Sequence, residues 1–341
     1  KEFLATILAS KFKILKTREH QNSEMGISQC ILSDLKPEHE IFIVEMGAYG
    51  KRGIKLLCEI TRPKIGIITG VNEQHLALFG SMENLLSAEG GRELIEALPE
   101  DGLIVANWDN PYIVKNLSQK DLKPKIIRYS TSKKEDVWAE DILIEKEYVS
   151  FRGVSKDGDK ADFRVKVLGA HYVSNILASI AVAKELGMKM SEIAEACKKI
   201  TPEMTGVVLK KGVRGINIIE ATYSANPDGV LAHLEYLKIW PGRKAIIMPS
   251  LIELGKASKE VHLKIGRKIG QVCDLGIITT KDRYEEIKRG ALETGMKQND
   301  IIFLEKPKEI LEKVEKFSGS DDIILLEGRI ADDIIAKLLS F

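Results

Sequence analysis

Ile68-Thr69-Gly70-Val71-Asn72-Glu73-Gln74-His75-Leu76-Ala77-Leu78-Phe79-Gly80-Ser81 is the stretch on which the reading of the fold turns. A strand-type apolar run passes straight into a polar loop with a single histidine, and open α/β sheets place their chemistry at the carboxyl ends of strands. Upstream, Ile41-Phe42-Ile43-Val44 is a second short apolar run that ends in Glu45-Met46-Gly47. If the two strands are parallel neighbours, Glu45 and His75 converge on one crevice, an oxygen and nitrogen pair suited to a divalent cation beside phosphates. A lone histidine after a strand is also commonly a surface or hydrogen-bonding residue, and this pair alone does not choose between the readings.

The chain has 341 residues, enough for two domains that each bury a core. Lys+Arg 51 against Asp+Glu 50 leaves a net charge of +1, so no electrostatic footprint for nucleic acid is present and any anionic ligand needs a local site. Cys30, Cys58, Cys197 and Cys273 are far apart and form no C-x-x-C pair, which fits a reducing cytoplasm better than a disulfide framework or a zinc site. No apolar run approaches the roughly 18 residues of a membrane span, so no membrane insertion is expected. The opening Lys1-Glu2-Phe3-Leu4-Ala5-Thr6-Ile7-Leu8-Ala9 has no Met and places Phe3, Leu4, Ile7 and Leu8 on one helical face. The sequence is therefore expected to begin inside a helix, with more chain upstream.

Outward from the opening stretch, strands are expected at 12–15, 41–46, 65–70 and 103–106, with helices at 28–35 and 82–98 between them. That alternation implies a parallel sheet. Between 128 and 168 the pattern changes to alternating strands with a hairpin turn at Lys156-Asp157-Gly158-Asp159, a small antiparallel β extension. Helices follow at 171–186 and 190–199. Thr201-Pro202-Glu203-Met204-Thr205-Gly206 then breaks the helical pattern, and a second doubly wound unit runs from about Gly212 to the closing helix.

Several loops carry polar residues at strand ends. Gly47-Ala48-Tyr49-Gly50-Lys51-Arg52-Gly53 has G-x-x-G-x-x-G spacing, neither a dinucleotide fingerprint nor a phosphate loop, and reads as a flexible loop. Asn107-Trp108-Asp109-Asn110-Pro111 follows the 103–106 strand. In Gly169-Ala170-His171-Tyr172-Val173-Ser174-Asn175, Asn175 is expected in the first helical turn, where it either caps the helix or contacts a base. Glu220-Ala221-Thr222-Tyr223-Ser224-Ala225-Asn226-Pro227-Asp228 leaves a strand and enters a helix with Pro227 as turn former.

Taken in order, E-M-G, T-x-V-x-E-x-H-L-x-x-F-G-S, N-x-D-x-P, G-x-H-x-x-x-N, Y-x-A-N-P-D and I-E-L-G with a later His resemble the Mur ligases, and in particular the branch that adds D-alanyl-D-alanine to a UDP-N-acetylmuramoyl tripeptide. The resemblance runs from Lys1 to about His262. It implies an α/β fold: a Mur ligase central ATPase-type domain over 1–204, with a mixed, mainly parallel sheet and small β extension, then a Rossmann-like C-terminal domain over 205–341. It implies ATP-dependent, magnesium-assisted amide formation through an acyl phosphate, in a cytoplasmic monomer. On this mapping Glu45 and His75 are magnesium ligands, His75 and Glu89 serve catalysis, Asn175 contacts adenine, and Glu220, Tyr223 and Asn226 close over the nucleotide.

The family's UDP-sugar domain and phosphate loop precede the position of Lys1, so this stretch by itself is expected to be inactive. The family's carbamylated lysine has no counterpart, since no Lys occurs between Lys64 and Lys115; Glu89 is the carboxylate available in its place. The usual Gly-Arg reads Gly206-Val207, the second Asp of an Asp-Asp pair reads Ala221, and K-G-S-R reads Glu327-Gly328-Arg329-Ile330. These changes keep a second reading open, a non-catalytic relative that binds a nucleotide sugar or a partner. A dehydrogenase is disfavoured by the missing glycine fingerprint.

Overall fold

The computed structural model describes every residue except 20, 119–121, 318, 340 and 341. In chain order the first unit comprises α1 (Glu2–Leu8), β1 (Ile14–Lys16), α2 (Glu24–Asp34), β2 (Ile41–Ile43), α3 (Gly53–Thr61), β3 (Ile65–Ile68), α4 (Leu76–Phe79), α5 (Met82–Ala88) and α6 (Arg92–Ala97). It continues with β4 (Leu103–Asn107), α7 (Pro111–Leu117), β5 (Lys125–Ser130), β6 (Val137–Ile144), β7 (Val149–Ser155), β8 (Lys160–Val165), α8 (His171–Glu185) and α9 (Met190–Cys197). The second unit comprises β9 (Val208–Lys211), β10 (Asn217–Ala221), α10 (Pro227–Leu237), β11 (Lys244–Met248), α11 (Ser258–Val272), β12 (Leu275–Ile278), α12 (Tyr284–Glu293), β13 (Ile301–Phe303), α13 (Pro307–Phe317), β14 (Ile323–Glu327) and α14 (Asp332–Leu339).

The first large sheet has the order β3-β4-β5-β6-β7-β8, parallel from β3 to β6 and antiparallel beyond. The expected β extension is thus an outgrowth of the parallel sheet through β6. Successive residues of β4 face opposite cores: Leu103 and Val105 pack with α1, α8 and α9, while Ile104 and Ala106 pack with the helices of the other face. The second sheet has the order β13-β12-β11-β14-β10-β9, parallel except for β9. Its central strand β14 is sealed on both faces, with Ile323, Ile324, Leu325 and Leu326 fully buried. Each such side chain contributes about 1.5–3 kcal/mol of transfer free energy.

Three expectations need correction. β1 and β2 form their own two-stranded parallel sheet, so the strand leading to Glu45 is not hydrogen-bonded to the strand leading to His75. The helix expected over 82–98 is two helices, α5 and α6, broken at Glu89-Gly90-Gly91. Gly91 has φ 89, and a Cβ there would sit 2.0 Å from Cδ1 of Ile68, so the chain turns where only glycine fits. Residues 47–52 do form a loop, and it runs directly into α3. The first turn of α3 is held by a distant residue: the buried Glu93 carboxylate accepts from the Arg52 amide at 2.7 Å and the Lys55 amide at 3.1 Å. Finally, β9 lies upstream of the expected start of the second unit, paired antiparallel to β10.

Candidate functional site

Three loops of the first unit build one wall of the site. After β3, Asn72 Oδ1 accepts from the Gln74 amide at 3.0 Å, an Asx turn that sends the chain into α4 with His75 at its N-cap position. The loop after β4 pins this turn from behind. Asn107 Nδ2 donates to the Thr69 carbonyl at 2.8 Å, Asn110 Nδ2 to the Val71 carbonyl at 3.0 Å, and the Tyr112 hydroxyl to Glu73 at 3.0 Å. Asn110 also caps α7, accepting from the Tyr112 and Ile113 amides, with Pro111 in the first turn. Asp109 gathers the loop after β5, accepting from Ser130 Oγ and Ser132 Oγ at 2.6 Å and from the Thr131 amide at 2.6 Å. Burial opposes ionisation of Asp109, but these donors outweigh it and hold its carboxyl below the usual range.

The helix break at Gly91 sets the third loop. It ends α5 at Glu89, and the Glu89 carboxylate meets His75 Nδ1 at 2.7 Å. That hydrogen bond raises the imidazole's pKa, against the opposing effect of burial. The two catalytic candidates are therefore in contact, and the bond to Nδ1 leaves Nε2 out of the pair.

The second unit supplies the opposite wall. Asn72 Nδ2 donates to Asp228 Oδ2 at 2.9 Å and lies 3.5 Å from Asn226 Oδ1. The Ala77 amide donates to the Glu253 carbonyl at 2.9 Å. Asn226 is first of all the N-cap of α10, accepting from the Gly229 amide at 2.9 Å, a contact typically worth about 1 kcal/mol. Glu220 is turned toward β9 and pairs with Lys210 at 2.7 Å. Tyr223 is 63% exposed and stands beside Gly206, where an added Cβ would lie 3.7 Å from the tyrosine Cβ. Asn175 is exposed in the second turn of α8, which starts at His171, so it does not cap that helix. Its neighbour Ser174 lies 3.3 Å from Asn107 Nδ2, which sets this end of α8 beside the β4 loop.

Glu45 does not join His75. Its carboxylate pairs with the Lys1 ammonium at 3.2 Å, as its place in the separate β1-β2 sheet requires. Among the described residues, no group of three or more His, Cys, Asp or Glu side chains is arranged to hold a metal ion. The donor chemistry of His75 and Glu45 suits a cation, the two side chains are not in contact with each other, and no reaction step is derived through magnesium.

A second histidine–carboxylate pair lies deeper. Glu327, the end of β14, is fully buried and its Oε2 meets His233 Nδ1 of α10 at 2.7 Å. His171 of the first unit approaches the His233 ring edge-on at 5.2 Å, and burial, then the neighbouring His233, pushes its pKa down to about 3. Among the described residues Glu327 Oε1 and His171 Nδ1 have no hydrogen-bond partner. The changed residue at 327 thus serves interior packing. Sequence reasoning missed Glu253 and Glu93; the I-E-L-G motif flagged the first, while nothing local marks the second.

Two stacked α/β units, with polar loops from the strand ends of both meeting at one seam, define the class. Residues 1–183 match the Mur ligase middle domain and 206–330 match the Mur ligase glutamate ligase domain, so the chain belongs to the Mur ligase family. It is 26% identical over 347 residues to the UDP-N-acetylmuramoyl-tripeptide–D-alanyl-D-alanine ligase of Bacillus subtilis (strain 168), covering 99% of this chain and 73% of that protein. The enzyme of the same name from Synechocystis is 29% identical over 270 residues, covering 79% of this chain and 56% of its own length. MurF ligase from Thermotoga maritima, solved in complex with ADP, superposes with a TM-score of 0.81 at 24% identity over 99% of this chain and 76% of that one.

Proposed function

We propose that the chain forms the nucleotide-binding and C-terminal parts of an ATP-dependent ligase of peptidoglycan precursor synthesis, a cytoplasmic monomer that joins D-alanyl-D-alanine to a UDP-N-acetylmuramoyl tripeptide. The observation that carries this reading is the meeting, across one seam, of motifs as far apart in sequence as Asn72 and Asp228, in a chain 26% identical over 99% of its length to a ligase of that name. No helix among the described residues is long and apolar enough to cross a membrane, and all four cysteines are free and buried, which supports a reducing compartment.

In this reading the γ-phosphoryl group of ATP passes to the tripeptide carboxylate and ADP departs. The amine of D-alanyl-D-alanine then attacks the acyl carbon, the amide forms, and inorganic phosphate leaves. The chain's own part is positioning: phosphoryl transfer depends on alignment and on charge stabilisation more than on covalent participation by the protein. Glu89 fixes the imidazole of His75 through Nδ1 and supplies a carboxylate where the family has a carbamylated lysine. Asn175 is assigned to the adenine, and Glu220, Tyr223 and Asn226 to the nucleotide from the second unit. On the family mapping Glu45 and His75 would be the residues to hold magnesium, and the ion would supply charge neutralisation beside the phosphates.

The protein expressed from its complete reading frame should release phosphate from ATP only when both the UDP-N-acetylmuramoyl tripeptide and D-alanyl-D-alanine are present, with a new amide product detected by mass spectrometry. Tight nucleotide-sugar binding without phosphate release would overturn this in favour of the non-catalytic relative.

A further inference from the structure

The I-E-L-G turn is built as a rigid pedestal, and its side chain points at the one imidazole the site depends on. The pedestal begins with His262, fully buried on α11. Its Nδ1 lies 2.6 Å from the Ser258 carbonyl and its Nε2 accepts from the Leu251 amide at 2.9 Å, so the ring is a neutral strut between helix and loop. The neighbouring Ser250 amide donates to Thr280 Oγ1 at 2.7 Å, which ties the same loop to the end of β12. Two residues on, Glu253 takes a left-handed backbone with φ 65, and Gly255 follows with φ 51. A non-glycine residue in this conformation is strained, and such strain persists only where surrounding structure enforces it.

The strained turn presses on the first unit at one place. The Glu253 carbonyl accepts from the Ala77 amide at 2.9 Å, and a Cβ added to Gly255 would lie 3.3 Å from that same amide nitrogen. This contact sets the Glu253 carboxylate 3.9 Å from His75 Nε2, the ring nitrogen that the Glu89 bond leaves unused. The imidazole thus has a carboxylate at each nitrogen, one from each unit. The Glu89 contact lies within the first unit; the Glu253 contact exists only while the two units meet.

We propose that Glu253 is a positioning residue for His75: the pedestal of the second unit orients the imidazole through its Nε2 side when the seam is made and releases it when the seam opens. Unlike Asn226 and Asp228, which meet an asparagine at the seam, Glu253 carries a signal from the second unit to a residue proposed to act in the reaction. The inference rests on the ligase reading for its catalytic consequence and on geometry alone for the contact itself.

The test has two arms so that the two parts fail separately. In the 341-residue chain, labelled with 15N-histidine, Glu253→Gln should move the His75 Nε2 resonance while leaving the His262 signals in place. Glu89→Gln should move Nδ1 instead. In the protein from the complete reading frame, Glu253→Gln should lower kcat about tenfold, the scale of losses for residues that orient a reacting histidine, with the KM for ATP within about twofold of wild type. In a His75→Asn background Glu253→Gln should add no further loss. Unchanged His75 resonances in Glu253→Gln, or equal additive losses in both backgrounds, would overturn the proposal. A moved resonance in a protein that has no ligase activity would uphold the contact and refute the ligase reading.

Discussion

Two histidine–carboxylate pairs border the same seam, each closed by a 2.7 Å contact, and they differ in what surrounds them. His75 and Glu89 keep 32% and 24% side-chain exposure, whereas His233 and Glu327 keep 7% and 0%. The outer pair lies among loops and is partly exposed, with Glu253 of the second unit on the Nε2 side. The inner pair is walled by β14, α10 and α8 and has nothing to give a substrate. Equal geometry therefore supports opposite roles: in the interior a hydrogen-bonded pair satisfies polar groups that burial would otherwise penalise, and at the rim the same pair orients a group that can act.

That contrast can be broken at several points. Glu327→Ala should have the largest effect on stability, about 3 kcal/mol by urea denaturation, because it strands the buried His233 and opens a void beneath the second sheet. A loss under about 1 kcal/mol would show that the inner pair is not structural.

The pH dependence of the inner cluster should be next. His171 is held neutral in the fold, with its pKa pushed down to about 3 against 6.5 in the unfolded chain. The unfolded state then binds the extra proton, so this contribution is complete above about pH 6.5 and is lost as pH falls toward about 3. Allowing for the partial exposure of the ring, the loss between pH 7.5 and 5 should be about 1 kcal/mol, and His171→Gln should flatten that part of the stability profile. An unchanged profile would remove His171 from the account.

Glu89→Gln should be the mildest change in stability, about 0.5 kcal/mol or less, since the pair is partly solvated. In the protein from the complete reading frame, however, it should reduce the ligase rate and its magnesium dependence. A Glu89→Gln protein with wild-type rate and magnesium dependence would end the idea that this carboxylate replaces a carbamylated lysine.

The comparison also marks where sequence reading succeeded. β3, β4, β10, β11, β12 and β14 were legible because each is a short apolar run bounded by polar turn residues, and α8 because its apolar periodicity spans four turns. The His75 loop stood out as a strand end with polar cargo. What was not legible depended on partners far away in the chain. α3 follows the loop at 47–52 and was not read from the sequence; its first turn is held by Glu93, 38 and 41 residues downstream of the amides it accepts from. Nothing around Glu45 shows that β2 would pair with β1 and that Lys1 would take its carboxylate.

The sequence by itself determined two α/β units, the order of the motifs and the strand-end loop that carries His75, because period, turn chemistry and residue type are local properties. Only the tertiary structure decided which carboxylate His75 meets, that residue 327 is interior, and that Glu253 reaches across from the other unit. Those choices depend on a glycine that breaks a helix against Ile68, on the pairing of strands far apart in the chain, and on the seam between two separately wound sheets.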